Sequence, residues 1–263
     1  MRKHPRGSEL STFLWENERS LMAHILRAVA LTKAFKKKLA VGGITIELNQ
    51  GEIVGLLGPN GAGKTTTFQM ITGEIRADSG SVFVDDAEIT RWPMYRRARL
   101  GIAYLPQEPS AFRGLTTEQN VAAVLQVNGY SKAQIHERLE AVITTFDMGV
   151  RRKVKARDLS GGERRRLEVM RAISLYPSFV LLDEPFAGVD PIAVEDLQRI
   201  VAKLKTMSIG VLLTDHNVHE TLEIADRAYI ISEGTVLLHG TPSEIAQNDL
   251  ARKIFLGERF KLR

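Results

Sequence analysis

The chain has 263 residues, 44% apolar and 25% charged, which suits one large domain with a substantial core. It contains no cysteine, so disulfides and thiolate metal sites are excluded. The net charge of +5 is read as solvated surface, and no basic strand interleaved with aromatics is present, so no nucleic-acid partner is expected.

Residues 1–21 lack sustained periodicity and are read as a disordered or weakly ordered extension. The basic start at 1–7 has no apolar stretch behind it and does not read as a secretory signal. Met22 offers an alternative translation start, because strand-like alternation begins beyond it at Ile25, Val29 and Leu31. The domain proper is placed at 22–263. No apolar run approaches the roughly 20 residues that span a bilayer. A cytosolic protein is expected, with membrane contact only through partners.

Phe35 lies just ahead of a second strand, and its ring either stacks on an adenine or fills a core edge. Ile44, Ile46 and Leu48 alternate with Thr45 and Glu47, the pattern of a half-buried strand. Gln50-Gly51 turns the chain into the apolar run 52–57. That run leads into Gly58-Pro59-Asn60-Gly61-Ala62-Gly63-Lys64-Thr65, which matches G-x-x-x-x-G-K-[ST]. Glycines let backbone N–H groups turn inward on phosphates, and the helix that follows aims its positive dipole end at them. Lys64 is expected to reach the β- and γ-phosphates and the Thr65 hydroxyl to ligate Mg²⁺. The helix runs to Thr72, and Gly73 ends it.

Asp85-Asp86 reads as a turn between strands rather than a catalytic pair. Residues from about 89 to 157 read as a helical insertion. Thr116–Gln119 and Ser131–Gln134 each have capping-box spacing, ahead of apolar positions such as Val121, Leu125, Leu139 and Val142. Within this stretch Gln107 follows a short strand at 101–105, and its amide oxygen could hold Mg²⁺ or the attacking water. The segment from Glu108 to Leu115 carries Phe112 and Leu115 beside Arg113. An exposed aromatic next to an arginine suits an interface anchor, the alternative being a Phe112 tucked into the helical unit.

Leu159-Ser160-Gly161-Gly162-Glu163 opens a helix through Leu167, Met170 and Ile173. Small residues with free N–H groups at a helix start make a second anion site, with Ser160 and Gly162 as contacts. A head-to-tail pair of chains could bring that site and the glycine loop to one phosphate. Arg164-Arg165-Arg166 reads as a solvated helix face. Phe179 to Leu182 is a buried strand ending in Asp183-Glu184. Asp183 at a strand end beside a phosphate loop is expected to hold Mg²⁺, with Glu184 as general base or orienter of the attacking water. Asp190-Pro191 starts the next helix. Another strand at 211–213 leads to His216, placed to contact the γ-phosphate and the water. His4, His24, His136, His219 and His239 are given no role. Glu233-Gly234 reads as a hairpin turn, and Thr241-Pro242-Ser243-Glu244 as a capped helix start.

Taken in order, residues 58–65, Gln107, residues 159–163, Asp183-Glu184, Asp190 and His216 resemble the phosphate loop, Q-loop, signature, Walker B, D-loop and switch histidine of ATP-binding cassette (ABC) ATPases. The resemblance covers about residues 23–263. It implies a three-layer α/β P-loop NTPase fold with an antiparallel β subdomain and a helical insertion. It also implies ATP hydrolysis with Mg²⁺ coupled to transport, with Thr66 joining residues 58–65 around the nucleotide. A homodimer is implied, bound to integral membrane subunits near Glu108 to Leu115 and peripheral on the cytoplasmic face of the inner membrane.

Within the family the chain is most similar to ATPase subunits of lipopolysaccharide exporters. The residues that carry this are 54–60, 104–108, 160–166, 183–190, 215–218 and the tail 256–260. Branched-chain amino-acid importers share the stretch around Asp190 and remain an alternative. Soluble ABC ATPases acting on DNA or ribosomes usually carry a long coiled coil or two cassettes, and neither is present. A P-loop NTPase outside the family is argued against by residues 160–163. Phe35 stands where the family often has Tyr, keeping the ring and losing the hydroxyl. The extension 1–21 has no counterpart in the pattern.

Overall fold

The computed structural model of the chain describes residues 24–36, 38–188 and 191–253. The extension 1–21, Met22, His4, Asp190 and the tail 256–260 lie outside them. Two compact units are present: residues 108–177 form one, and the described parts of 23–107 and 178–263 form the other.

The larger unit holds two sheets. Strands β1 (Ile25–Phe35), β2 (Lys38–Asn49), β4 (Ser79–Val84) and β5 (Ala87–Glu88) form an antiparallel sheet in the order β2-β1-β4-β5. The alternation of β2 sets its register: Ile44 and Ile46 face inward opposite Leu31 and Ala28, while Thr45 and Glu47 point to solvent. Asp85, at φ 53°, turns β4 into β5, and its carboxylate accepts hydrogen bonds from the Ile25 amide and His24.

The second sheet has six strands in the order β10-β9-β3-β8-β7-β6. These are β3 (Ile53–Leu57), β6 (Ile102–Leu105), β7 (Phe179–Asp183), β8 (Gly210–Asp215), β9 (Arg227–Ser232) and β10 (Thr235–Gly240). All pairs are parallel except β9 with β10, whose hairpin turns at Glu233 and Gly234, both with positive φ. Every residue of β3, β7 and β8 is buried, as expected of central parallel strands. Helix α1 (Lys64–Thr72) packs Phe68, Met70 and Ile71 into one core with Leu56, Leu181 and Leu212, and with Leu31 and Ile44 of the antiparallel sheet.

The C-terminus of α1 is closed twice. Gly73 takes φ 82°, and a Cβ there would lie 2.7 Å from Arg97 Nε. Arg97, on helix α2 (Met94–Arg99), is 2% exposed and donates to the carbonyls of Met70, Ile71, Trp92 and Thr90 at 2.6–2.9 Å. Burial lowers its pKa to about 10, so it stays charged at neutral pH. Arg97→Met keeps the bulk and strands these carbonyls. It is expected to cost about 3 kcal/mol, a fall of roughly 6–12 °C in thermal midpoint at 2–4 °C per kcal/mol. A melting curve shifted by less than roughly 2 °C would show that water replaces the guanidinium.

The helical unit is built from α3 (Thr117–Val127), α4 (Lys132–Thr145) and α5 (Gly161–Ile173). All three start in capping boxes, Thr116 with Gln119, Ser131 with Gln134 and Ser160 with Glu163. Val121, Leu125, Leu139 and Val142 are buried along with Leu167, Met170 and Ile173 of α5. Buried Arg138 lies between the rings of Tyr130 and Tyr176, 4.1 and 3.9 Å from their centroids, and donates to the Ser174 carbonyl.

The unit's limits differ from the 89–157 of the sequence reading. Ile102 to Leu105 pair with Phe179 to Leu182, so α2 and β6 belong to the sheet unit. At the other end, α5 packs with the insertion, which closes at Pro177. That pairing joins residues far apart in the chain, and local spacing carries no trace of it.

Candidate functional site

In the larger unit, the parallel register brings four strand ends to one edge: Leu57 lies opposite Asp215, Asp183 opposite Thr214, and Leu105 opposite Leu182. The carboxyl edge of a parallel sheet is where such folds bind ligands. The residues that follow β3, β6, β7 and β8 are the glycine loop, Gln107, Glu184 and His216.

The loop of residues 58–63 owes its path to its glycines. A Cβ on Gly58 would lie 2.3 Å from the Ile231 carbonyl oxygen. Gly63 takes φ 103°, and a Cβ there would lie 2.6 Å from the Ala40 carbonyl oxygen. Pro59, Asn60 and Gly61 are exposed, and Ala62 is buried and takes the Gly234 amide on its carbonyl. Lys64, at the first position of α1, is 4% exposed. Its ammonium donates to the carbonyls of Gly58 at 2.8 Å and Pro59 at 3.3 Å and lies 3.9 Å from Glu184 Oε1. Burial pulls its pKa below the usual lysine value, with Glu184, Asp215 and Asp183 opposing the shift. Thr65 is exposed and Thr66 half-buried on the same first turn.

Glu184 is the meeting point. Besides Lys64, its carboxylate has Gln107 Nε2 at 3.3 Å and His216 Nδ1 at 3.6 Å, both on Oε2. Its backbone sits at φ 43°, a strained position for a residue with a side chain. The Thr214 hydroxyl fixes it, accepting the Glu184 amide at 3.0 Å while donating to Asp183 Oδ1 at 2.6 Å. Asp183 is 4% exposed, and the Tyr104 hydroxyl reaches its Oδ2 at 3.3 Å. Burial, reinforced by Asp183, pushes the Tyr104 phenol up and keeps it a donor. Fully buried Asp215 accepts from the amides of Phe186 and Asn217 and lies 3.5 Å from His216 Nδ1.

Tyr104, Thr214 and Asp215 escaped the sequence reading. One signal was available for Asp215: like Asp183, it is an acid at the end of a fully buried strand, here after the apolar run Val211 to Leu213.

Phe35 lies apart, at the end of β1, with its ring 49% exposed and the Lys33 ammonium 5.8 Å from its centroid. The exposure favours a ring free to stack over one filling a core edge. Ser160 and Gly162 belong to the helical unit. The Ser160 hydroxyl oxygen accepts the Glu163 amide at 3.2 Å, which leaves its O–H free to donate. Glu163 Oε2 accepts the Ser160 amide at 2.9 Å, and Arg151, 2.6 Å away, holds the Glu163 carboxyl below its usual range.

The three arginines that follow are half-buried, correcting the expected solvated face. Arg164 donates to the carbonyls of Ala156 and Leu159, and Arg165 to Glu168 at 3.1 Å. The chain before α5 presents carbonyls that need donors, and Arg164 supplies them, while Arg165 meets a buried carboxylate.

The donor set includes the Asp183 carboxylate, the Thr65 hydroxyl and the Gln107 amide oxygen. All are hard oxygens, which fit Mg²⁺ rather than a softer metal. A carboxylate beside an ammonium, an amide and an imidazole, next to the glycine loop, can orient and deprotonate a water against a phosphoryl group.

Comparison with known proteins agrees with this chemistry. The family described as ABC transporter matches residues 41–187. The lipopolysaccharide export system ATP-binding protein LptB of Acidithiobacillus ferridurans is 47% identical over 92% of this chain and 100% of its own length. A probable ABC transporter ATP-binding protein of Azorhizobium caulinodans is 52% identical over 90% of this chain and 84% of its own. Among solved structures, the ADP conformation of an ATP-binding cassette of an ABC transporter superimposes with a TM-score of 0.80 at 27% identity, covering 89% of this chain and 99% of that one.

Proposed function

Because this chain belongs to the ABC transporter ATP-binding family, we propose that it is the ATP-hydrolysing subunit of a lipopolysaccharide export system. The observation that carries the cargo is the 47% identity to an exporter ATPase across that relative's whole length. No helix among the described residues is long and apolar enough to cross a membrane. In this reading cargo passes through partner subunits, and this chain is peripheral on the cytoplasmic face of the inner membrane.

In this reading ATP lies on the loop of residues 58–63 with Lys64, Thr65 and Thr66 at its phosphates and Phe35 at its adenine. Thr65, Asp183 and Gln107 would hold Mg²⁺, which would supply positive charge at the phosphates. Glu184 takes the proton of the attacking water, and His216 and Gln107 hold that carboxylate and the water in place. A second copy supplies Ser160 and Gly162, whose hydroxyl and amide donors meet the γ-phosphate.

Partner docking is assigned to residues 108–115. Phe112 is 48% exposed, and its ring packs on Arg171, whose guanidinium carbon lies 4.5 Å from the ring centroid. The Asn120 side chain holds both the Phe112 amide and its carbonyl, so the ring is displayed on a fixed backbone. Phe112→Ala is expected to weaken association with the membrane subunits by about 2 kcal/mol or more, while the chain stays folded.

The functional test is reconstitution. The complex with co-purified membrane subunits, in vesicles containing lipopolysaccharide, should release it only when ATP is supplied. ATP-dependent uptake of branched-chain amino acids without lipopolysaccharide release would replace the proposal.

A further inference from the structure

Glu168 is a buried carboxylate that the nucleotide chemistry does not use. It lies in the second turn of α5 and is 4% exposed. Burying such a group is costly unless it is bonded. Its Oε1 accepts the amide of Ser110 at 2.7 Å and that of Ala111 at 3.3 Å, and Arg165 lies 3.1 Å from its Oε2. One turn further along the helix, Arg171 donates to the Ser110 carbonyl at 2.5 Å and packs on the Phe112 ring. Two side chains of one helix thus grip the backbone of Ser110 on both its amide and its carbonyl. The segment they grip displays the exposed aromatic.

Ordinary loop stability does not call for this. An exposed loop satisfies its amides with water at little cost, whereas a buried carboxylate serving them fixes direction as well as distance. The N-terminus of the same helix carries Ser160 and Gly162. Residues 110–112 and the start of α5 are therefore joined through hydrogen-bonded side chains of one rigid element.

We propose that Glu168 is a positioning residue: it locks residues 110–112 to α5, so that a partner docked on Phe112 moves the phosphate-contacting start of that helix. The proposal rests on the docking role of residues 108–115 given above.

The readout is the ratio of ATP hydrolysis with membrane subunits bound, at saturating partner, to hydrolysis by the same variant without them. A purely structural role for Glu168 would lower both rates through the folded fraction and leave the ratio alone. Glu168→Leu is expected to reduce the ratio by about fivefold or more, the lower end of ordinary coupling between sites. Glu168→Gln, which keeps an acceptor for the Ser110 amide, should restore most of it. Ser110→Pro removes that amide without touching the helix and should reproduce the loss, which keeps the test open if Glu168→Leu does not fold. An unchanged ratio in the folded variants, while Phe112→Ala still weakens association, would overturn the role of Glu168 alone. Undiminished association of Phe112→Ala would remove the docking reading and this proposal with it.

Discussion

Glu184→Gln should bind ATP and hydrolyse it about 10²–10⁴ times more slowly, the usual cost of losing a general base. The change is nearly isosteric. Gln107 Nε2 and His216 Nδ1 both approach Oε2, and an amide oxygen there could still accept from either. The backbone should hold too, because the strained φ of 43° is fixed by the Thr214 hydroxyl rather than by the side chain. What disappears is the charge beside Lys64 and the ability to take a proton. Single-turnover hydrolysis measured beside equilibrium ATP binding separates the two effects. A rate within twofold of the unaltered chain would remove Glu184 from the chemistry.

Lys64→Ala should act on binding instead. The ammonium is 4% exposed, bonded to two loop carbonyls and 3.9 Å from a carboxylate, so it is held at the loop rather than free in solvent. Phosphate charge on the loop would exchange these contacts for stronger charge-assisted ones. Removing one partner of a buried charged contact costs about 2–5 kcal/mol, which raises the Kd for ATP about 30-fold or more. Burial lowers the Lys64 pKa, whereas bound phosphates favour the ammonium, so binding should take up a proton where the free lysine has begun to titrate. Calorimetry in two buffers of different ionisation enthalpy would detect that uptake. An unchanged Kd for Lys64→Ala would show that the loop amides suffice.

Much of this architecture was readable where chemistry is local. The alternation of Ile44, Ile46 and Leu48 fixed which face of β2 is buried, and the spacings at Thr116, Ser131 and Thr241 marked helix starts that are capped as expected. The strand-end positions of Asp183, Glu184 and His216 follow from apolar runs that stop there. What stayed hidden depends on contacts across the chain. Arg97 drew no reading from local pattern, and it is buried because the end of α1 needs its donors. Thr214 looks like an ordinary strand residue until β7 and β8 lie side by side and its hydroxyl spans Asp183 and Glu184. Arg165, in a run that reads as a solvated helix face, is half-buried for the same reason, beside buried Glu168. The limits of the helical unit depend on the pairing of Ile102 with Phe179, which no local pattern announces.

The central claim is that ATP is enclosed between two copies of this chain, with the glycine loop of one facing Ser160 and Gly162 of the other. The most direct measurement is sedimentation of the Glu184→Gln chain with and without ATP and Mg²⁺, because slowed hydrolysis preserves the bound state. The expected mass is that of one chain without nucleotide and of two with it, returning to one when Lys64→Ala is added. A single-chain mass at ATP concentrations well above the measured Kd would contradict it.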